Sequence, residues 1–282
     1  MALLLSGITL RDKIKEDLKE VVSSLNPEVV PQLAIIQVGA DEASSVYIKG
    51  KIRFGKEIGV PVIFHHFEDT ASEEQVIDLI VRLNADSRTE GILVQLPLPV
   101  QMRQDKIIET IDPEKDVDGL TSLNVKKLLV NDTSGIMPAT TRGIISLLKA
   151  NDISLAGKKV LVVGRSSLVG KPTALACLNE DATVTIAHHL STDVPALCKD
   201  ADVIISATGV PGLIGKKSVK KDQVIIDVGI TRLEGKIVGD VAFGEVEGLV
   251  GAVSPVPGGV GPLTIASLFQ NLLRKYTDST IN

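Results

Sequence analysis

The stretch from Val160 to Pro172, Val-Leu-Val-Val-Gly-Arg-Ser-Ser-Leu-Val-Gly-Lys-Pro, limits the fold more than any other part of the chain. A run of β-formers ends at Gly164, a short polar loop follows, and Pro172 opens an apolar-periodic segment. The order is strand, tight loop, helix. Backbone N–H groups at a helix start lack internal partners and carry partial positive charge, so an anion placed there is bound without any side chain. Gly164 allows the sharp turn and Gly170 a close approach of helix to strand. The spacing departs from G-x-G-x-x-G, because Ser166 takes the middle position and the last glycine comes one residue late. A β-to-α turn that binds nothing has the same outline.

The same alternation extends in both directions. Leu10, Ile14, Leu18, Val21 and Leu25 share a helical face, and Pro31 closes that segment before a strand from Leu33 to Val38. A helix from about Asp41 to Ile58, a strand around Val62 to Phe67, a helix after Ser72 and a strand from Gly91 to Gln95 follow. Ser72 and Gln75 have the spacing of a capping box. Strands resume near Val160, Val184, Val203 and Val224, and Ile265, Leu268, Phe269 and Leu272 mark a final helix. The 282 residues, 44% apolar, allow about two domains at the usual ~150 residues each. The expected fold is therefore α/β: two α/β domains with parallel sheets, the second a Rossmann-like nucleotide-binding domain, and a ligand cleft between them.

Charge and cysteine content narrow the partners. A net charge of −5 leaves no basic stripe for a nucleic-acid backbone. Cys177 and Cys198 are too few for a disulfide framework and not at zinc spacing, and His65, His66, His188 and His189 come as adjacent pairs, so no metal is expected. The opening Met1-Ala-Leu-Leu-Leu-Ser lacks a basic start and is short for a signal sequence, and no apolar run reaches membrane-span length. A cytoplasmic protein without membrane or nucleic-acid partners is the expectation.

Four further constellations carry possible chemistry. Ser44, Tyr47 and Lys51 share one helix face, which puts a hydroxyl, a ring and an amine together; a half-buried tyrosine beside a snorkelling lysine gives the same spacing. Gln95-Leu96-Pro97-Leu98-Pro99 places an amide at the sheet's carboxyl edge, followed by a stiff apolar loop that could wall a flat ring or simply end the strand. Asp116-Val117-Asp118-Gly119 offers two carboxylates, either for a fork of ring N–H donors or for an Asp-Gly turn in water. Pro255-Val256-Pro257-Gly258-Gly259-Val260-Gly261-Pro262 combines stiffness with bare backbone, as in a ligand-hugging loop or a surface hinge.

Taken in order, Ser44-x-x-Tyr47-x-x-x-Lys51, Val94 to Pro99, Lys115-Asp116-Val117-Asp118-Gly119, Gly164-Arg165-Ser166-x-x-Val169-Gly170-x-Pro172 and Pro255 to Pro262 resemble the bifunctional methylenetetrahydrofolate dehydrogenase/methenyltetrahydrofolate cyclohydrolase family over nearly the whole chain. The resemblance implies oxidation of 5,10-methylenetetrahydrofolate with NADP, then hydrolysis of the methenyl product to 10-formyltetrahydrofolate, in the one-carbon metabolism that feeds purine biosynthesis. It implies a homodimer, a folate-binding catalytic domain of residues 1–139 plus 262–282, and an NADP-binding domain of residues 140–261. It makes Lys51 the catalytic amine, Gln95 its hydrogen-bonding partner, Tyr47 the ring stacked on the pterin, and Asp118 the grip on the pterin amino edge. Ser44, Leu96 and the Pro257, Gly258, Gly259 loop complete the substrate set. Thr140, Gly164, Arg165, Ser166 and Ile230 form the cofactor set, joined by His189 on the charge argument that follows.

Two departures stand out. The family's usual Pro-Cys-Thr-Pro-x-Gly is here Pro138-Ala139-Thr140-Thr141-Arg142-Gly143, and His189 stands where serine or arginine is frequent near the cofactor's extra phosphate. An acid at the end of the second strand would favour NAD through the ribose hydroxyls, and Thr183 to His189 contains none, so NADP is the expected cofactor. A dehydrogenase lacking the hydrolytic step, or a nucleotide-sensing module, shares the fold; accumulation of 10-formyl product separates the first, and the Ser44, Tyr47, Lys51 stripe with Gln95 argues against the second.

Overall fold

Runs of Val, Ile and Leu without polar alternation suit strands covered on both faces, and the chain uses them in two all-parallel sheets. The computed structural model describes residues 2–277; residue 1 and residues 278–282 of the expected domain ranges lie outside the described residues. In chain order the elements are β1 (Leu3–Leu4), α1 (Gly7–Ser24), β2 (Gln32–Val38), α2 (Glu42–Ile58), β3 (Val62–Phe67), α3 (Glu73–Ala85), β4 (Thr89–Val94), α4 (Gln104–Glu109), α5 (Ser122–Leu129) and α6 (Ala139–Lys149). They continue with β5 (Lys159–Val163), α7 (Gly170–Asn179), β6 (Thr183–Ala187), α8 (Val194–Asp200), β7 (Val203–Ser206), β8 (Val224–Asp227), β9 (Thr231–Leu233), β10 (Lys236–Val238), α9 (Phe243–Val246), β11 (Ala252–Val253) and α10 (Val260–Leu273).

The chain divides into two units, Lys13–Ala139 with Ile265–Asn282, and Met1–Asp12 with Thr140–Thr264. In the first unit the strand order is β3-β2-β4. Its core packs Ala34, Ile36 and Val38 of β2 and Ile92 and Val94 of β4 against Val76, Leu79, Ile80 and Leu83 of α3. The capping box holds: Gln75 N–H donates to Ser72 Oγ at 3.3 Å, and Gln75 Oε1 accepts the Ser72 N–H at 2.9 Å. In the second unit the order is β1-β11-β8-β7-β5-β6, with an antiparallel β9–β10 ladder outside the sheet.

Both sheets reverse direction of growth beside their first long strand: β3 and β4 flank β2, and β6 and β7 flank β5. The carboxyl ends of the strands at such a switch point are where open α/β sheets hold ligands.

Several expected boundaries move. Residues 2–12 belong with the nucleotide unit rather than with residues 13–139, because Leu3 and Leu4 pair with Ala252 and Val253 and Leu5 is fully buried. A two-residue strand has no periodicity, so its partner alone defines it. The final helix begins at Val260, not Ile265, with Pro262 in its first turn, where a missing N–H breaks no helix bond. Likewise α7 starts at Gly170 rather than Pro172, and α1 ends at Ser24, well before Pro31.

Candidate active site

Asp41 caps α2, its carboxylate accepting the Ser44 N–H at 2.7 Å, and this fixes the helix face carrying Ser44, Tyr47 and Lys51. Lys51 is 6% exposed. Its Nζ donates to Gln95 Oε1 at 2.8 Å, and Gln95 Nε2 donates onward to the Leu96 carbonyl at 2.8 Å. The same carbonyl accepts from Ser44 Oγ at 3.3 Å. Gln95 stands where β4 leaves the sheet, its N–H bonded to Ile36 O of β2 at 2.8 Å, so the switch point of the first sheet positions the amide. The Leu96–Pro97 peptide is cis.

Burial holds the Lys51 ammonium below the ordinary lysine value, and the opposing charge of Asp118 pulls it part of the way back. Asp118 is displaced in the complementary direction: burial raises its pKa, Lys51 lowers it, and Asp116 adds to the rise. Tyr47 is half-buried, and that burial raises its phenol.

Which of the two carboxylates is available is settled by hydrogen bonding. Asp116 Oδ1 accepts the Gly119 N–H at 3.0 Å, and its Oδ2 accepts from Thr121 N at 2.7 Å and Asn124 Nδ2 at 3.0 Å. It is consumed in shaping the turn. Lys115 is likewise structural, its Nζ donating to the Leu83, Asn84 and Asp86 carbonyls at the end of α3. Among the described residues no hydrogen bond engages the Asp118 carboxylate, which leaves it open to a ligand.

In the nucleotide unit, Gly164 has φ +122°, and a Cβ there would sit 2.4 Å from the Ala207 carbonyl oxygen. A Cβ on Gly170 would lie 2.3 Å from Gly164 O. The loop therefore closes against both the end of β7 and the start of α7. Ser166 Oγ accepts from Val169 N at 3.1 Å and Gly170 N at 3.3 Å, holding the loop from within. Arg165 and His189 are exposed, and Ile230 is exposed on the segment after β8. Thr140 Oγ1 lies 3.5 Å from Thr264 Oγ1. A bare backbone bend at the switch point, an arginine beside it and no acid at the end of β6 fit a phosphate-bearing dinucleotide.

The Pro257, Gly258, Gly259 loop belongs to this unit, not to the one holding Lys51: Val256–Pro257 is cis, Gly258 has φ +108°, and its carbonyl accepts the Gly7 N–H at 2.9 Å. Thr141, standing where the family usually has proline, is buried with its Oγ1 3.2 Å from Thr173 Oγ1, so a hydroxyl pair joins α6 to α7. The sequence reading missed Asp227 and Asp240. Asp227 accepts the N–H groups of Gly229, Asp240 and Val241, and Asp240 Oδ2 accepts from Ser206 Oγ, Thr208 N and Thr208 Oγ1. Together they tie down the chain leaving β7 and β8. Their signal was an acid directly after the apolar run Val224-Ile225-Ile226 and another after Gly239.

Cys177 and Cys198 are buried free thiols, and burial pushes them up to about 12 and about 11. Among the described residues no group of three His, Cys, Asp or Glu is placed to hold a metal ion, and no helix is long and apolar enough to cross a membrane.

A parallel α/β unit presenting a glycine-bent loop, joined in one chain to a second α/β unit with a buried amine bonded to a half-buried amide and beside a half-buried carboxylate, defines the class of two-domain nucleotide-dependent dehydrogenases. Residues 5–118 match the tetrahydrofolate dehydrogenase/cyclohydrolase catalytic domain, and residues 138–280 match the NAD(P)-binding domain of the same family. The chain belongs to the tetrahydrofolate dehydrogenase/cyclohydrolase family. It is 44% identical over 278 residues to the bifunctional protein FolD of Aquifex aeolicus, covering 98% of this chain and 96% of that one. Among solved structures it is similar to the bifunctional FolD of Campylobacter jejuni, with TM-score 0.96, 42% identity, and 98% and 99% of the two chains covered. It is also similar to the Trypanosoma brucei methylenetetrahydrofolate dehydrogenase-cyclohydrolase, solved with NADP and an inhibitor, with TM-score 0.93, 31% identity, and 98% and 97% covered.

Proposed function

We propose that the protein oxidises 5,10-methylenetetrahydrofolate with NADP and then hydrolyses the 5,10-methenyl product to 10-formyltetrahydrofolate. The observation that carries this reading is Lys51: a buried amine, 2.8 Å from an amide oxygen and depressed in pKa, on the unit that matches the catalytic domain.

Bound NADP supplies the nicotinamide ring that takes the hydride. Lone pairs on the two flanking folate nitrogens expel that hydride from the methylene carbon, so the protein's task in the first step is orientation. Asp118 accepts the pterin amino edge and the Tyr47 ring stacks on the pterin. The product is a methenyl cation. Water adds to it and the ring opens, releasing a proton, so this step needs a base at the bridge. An unprotonated Lys51 takes that proton. Gln95 holds the amine in place by accepting one of its hydrogens, and the cation beside it adds like-charge repulsion to the burial that already favours the neutral form.

On this reading the folate domain comprises residues 13–139 with the part of α10 from Ile265 onward, and the NADP domain residues 140–264 with residues 2–12. Gly164, Arg165, Ser166, Thr140, His189 and Ile230 hold the cofactor; Ser44 and Leu96 contact folate. The enzyme works in the cytoplasm as a homodimer; the support for self-association is that β1 stands at the edge of its sheet among the described residues, with Leu3 and Leu4 53% and 52% exposed. Sedimentation tests that state.

The activity is tested by mixing protein with methylenetetrahydrofolate and NADP while following the methenyl and reduced-nicotinamide absorbances. Reduced cofactor with stoichiometric 10-formyl product is expected. Methenyl product that accumulates without being hydrolysed by the enzyme would leave a dehydrogenase alone, and absence of reduced cofactor would remove the reading altogether.

A further inference from the structure

Two histidines follow the end of β6, and of these the reading above uses only His189, as a cofactor contact. Their rings lie 6.0 Å apart, tilted by 58°. His188 is half-buried and tied on two sides: its N–H donates to Ser191 Oγ at 2.9 Å, and its Nδ1 accepts the Leu190 N–H at 3.2 Å. A ring nitrogen that accepts carries no hydrogen, so the neutral tautomer of His188 keeps its proton on Nε2. Burial first, then Arg165 and His189, hold His188 below the ordinary imidazole value. His189 is exposed, and among the described residues no bond engages its ring nitrogens.

Arg165 comes from the loop after β5, and Lys171 lies in the first turn of α7, the helix packed on β6. Asp193, the acid of the same loop, is committed as the N-cap of α8, accepting the Ala196 N–H at 3.1 Å. Between Thr183 and Leu190 there is no acid. In a dinucleotide fold this strand end reads the adenosine ribose: a carboxylate takes the hydroxyls, a cation the 2′-phosphate. Arg165 is always charged, whereas an imidazole becomes a cation only by taking up a proton.

We propose that His189 makes the preference for a 2′-phosphorylated cofactor proton-linked: the phosphate draws a proton onto this ring as it binds, so discrimination against NAD weakens as pH rises. Protonating His188 instead would cost its bond to the Leu190 N–H, which leaves His188 neutral and His189 the proton acceptor. The sign follows from linkage. A group that binds a proton more tightly in the complex weakens the ligand wherever the free protein must first acquire that proton. The proposal rests on NADP being the cofactor.

The test is calorimetry of NADP and of NAD binding to the intact protein, in two buffers of different ionisation enthalpy, at about pH 7.5. There the free 2′-phosphate, with a second pKa of about 6, is already dianionic, so any proton uptake belongs to the protein. NADP should take up a fraction of a proton and NAD none. As pH rises the NADP affinity should fall while that for NAD stays level. His189→Arg should bind NADP tightly at every pH without uptake, and His189→Ser should lose both the uptake and part of the preference. Tight NADP binding without uptake, or uptake undiminished in His189→Ser, would overturn the proposal. NADP binding no tighter than NAD at any pH would overturn the cofactor assignment beneath it.

Discussion

Asp118 and Lys51 push each other's ionisation in ways that can be read in kinetics. The carboxylate stabilises the ammonium, so replacing it by a neutral isostere lets burial act on Lys51 unopposed and lowers its pKa further. For Asp118→Asn at saturating folate, the rising limb of the hydrolysis pH profile should move to lower pH. The folate KM should also rise on the order of tenfold to a hundredfold, since a charged hydrogen bond to the pterin contributes about 1.5–3 kcal/mol. A limb that moves to higher pH, or an unchanged KM, would contradict the arrangement. At this scale the sequence told only part of the story. The motif around Asp116 and Asp118 was visible, but which acid stays available depends on N–H groups folding onto Asp116 from Gly119 and Thr121. Those donors lie only three and five residues on, so the turn itself was open to a local reading; what the sequence did not show is that Asn124 Nδ2 also closes on Asp116.

Elements were legible where their determinants are local. α2 and α3 begin where Asp41 and Ser72 cap them, because a capping side chain acts within three residues. The ends of β7 and β8 were not, since they are shaped by Asp227 and Asp240 across the sheet. Asp227 is pushed up to about 6, chiefly by burial, against the lowering effect of its three N–H donors. With a folded pKa above the unfolded one, its contribution to stability is complete below about pH 4 and is lost as pH rises toward 6. Asp227→Asn should flatten that part of the pH–stability curve. It should also cost about 1–3 kcal/mol overall, because an amide NH₂ would face a backbone donor. Urea unfolding at several pH values measures both, and an unaltered slope would show that Asp227 does not titrate there.

The molecule as a whole is threaded so that its first residues complete the sheet of its last domain. The unit boundaries fall inside α1, at the start of α6 and inside α10, so each crossing is made in or beside a helix. Leu5 is fully buried and its N–H bonds to Val253 O at 3.0 Å, although nearly the whole chain separates them. Leu5→Ala should cost about 2–5 kcal/mol and lower the unfolding temperature of the nucleotide unit, weakening cofactor binding despite the distance in sequence. Normal cofactor affinity and stability would deny β1 that role. The two-unit α/β plan could be read from alternating strand and helix patterns; the pairing of β1 with β11 could not, because so short a strand exists only through its neighbour.

The central claim is that one buried amine on α2 performs the hydrolytic step and not the oxidative one. Assaying both activities of Lys51→Met on the same preparation tests it most directly: methenyl hydrolysis should vanish while much of the hydride transfer to NADP persists. Equal loss of both activities, or hydrolysis that survives, would contradict it.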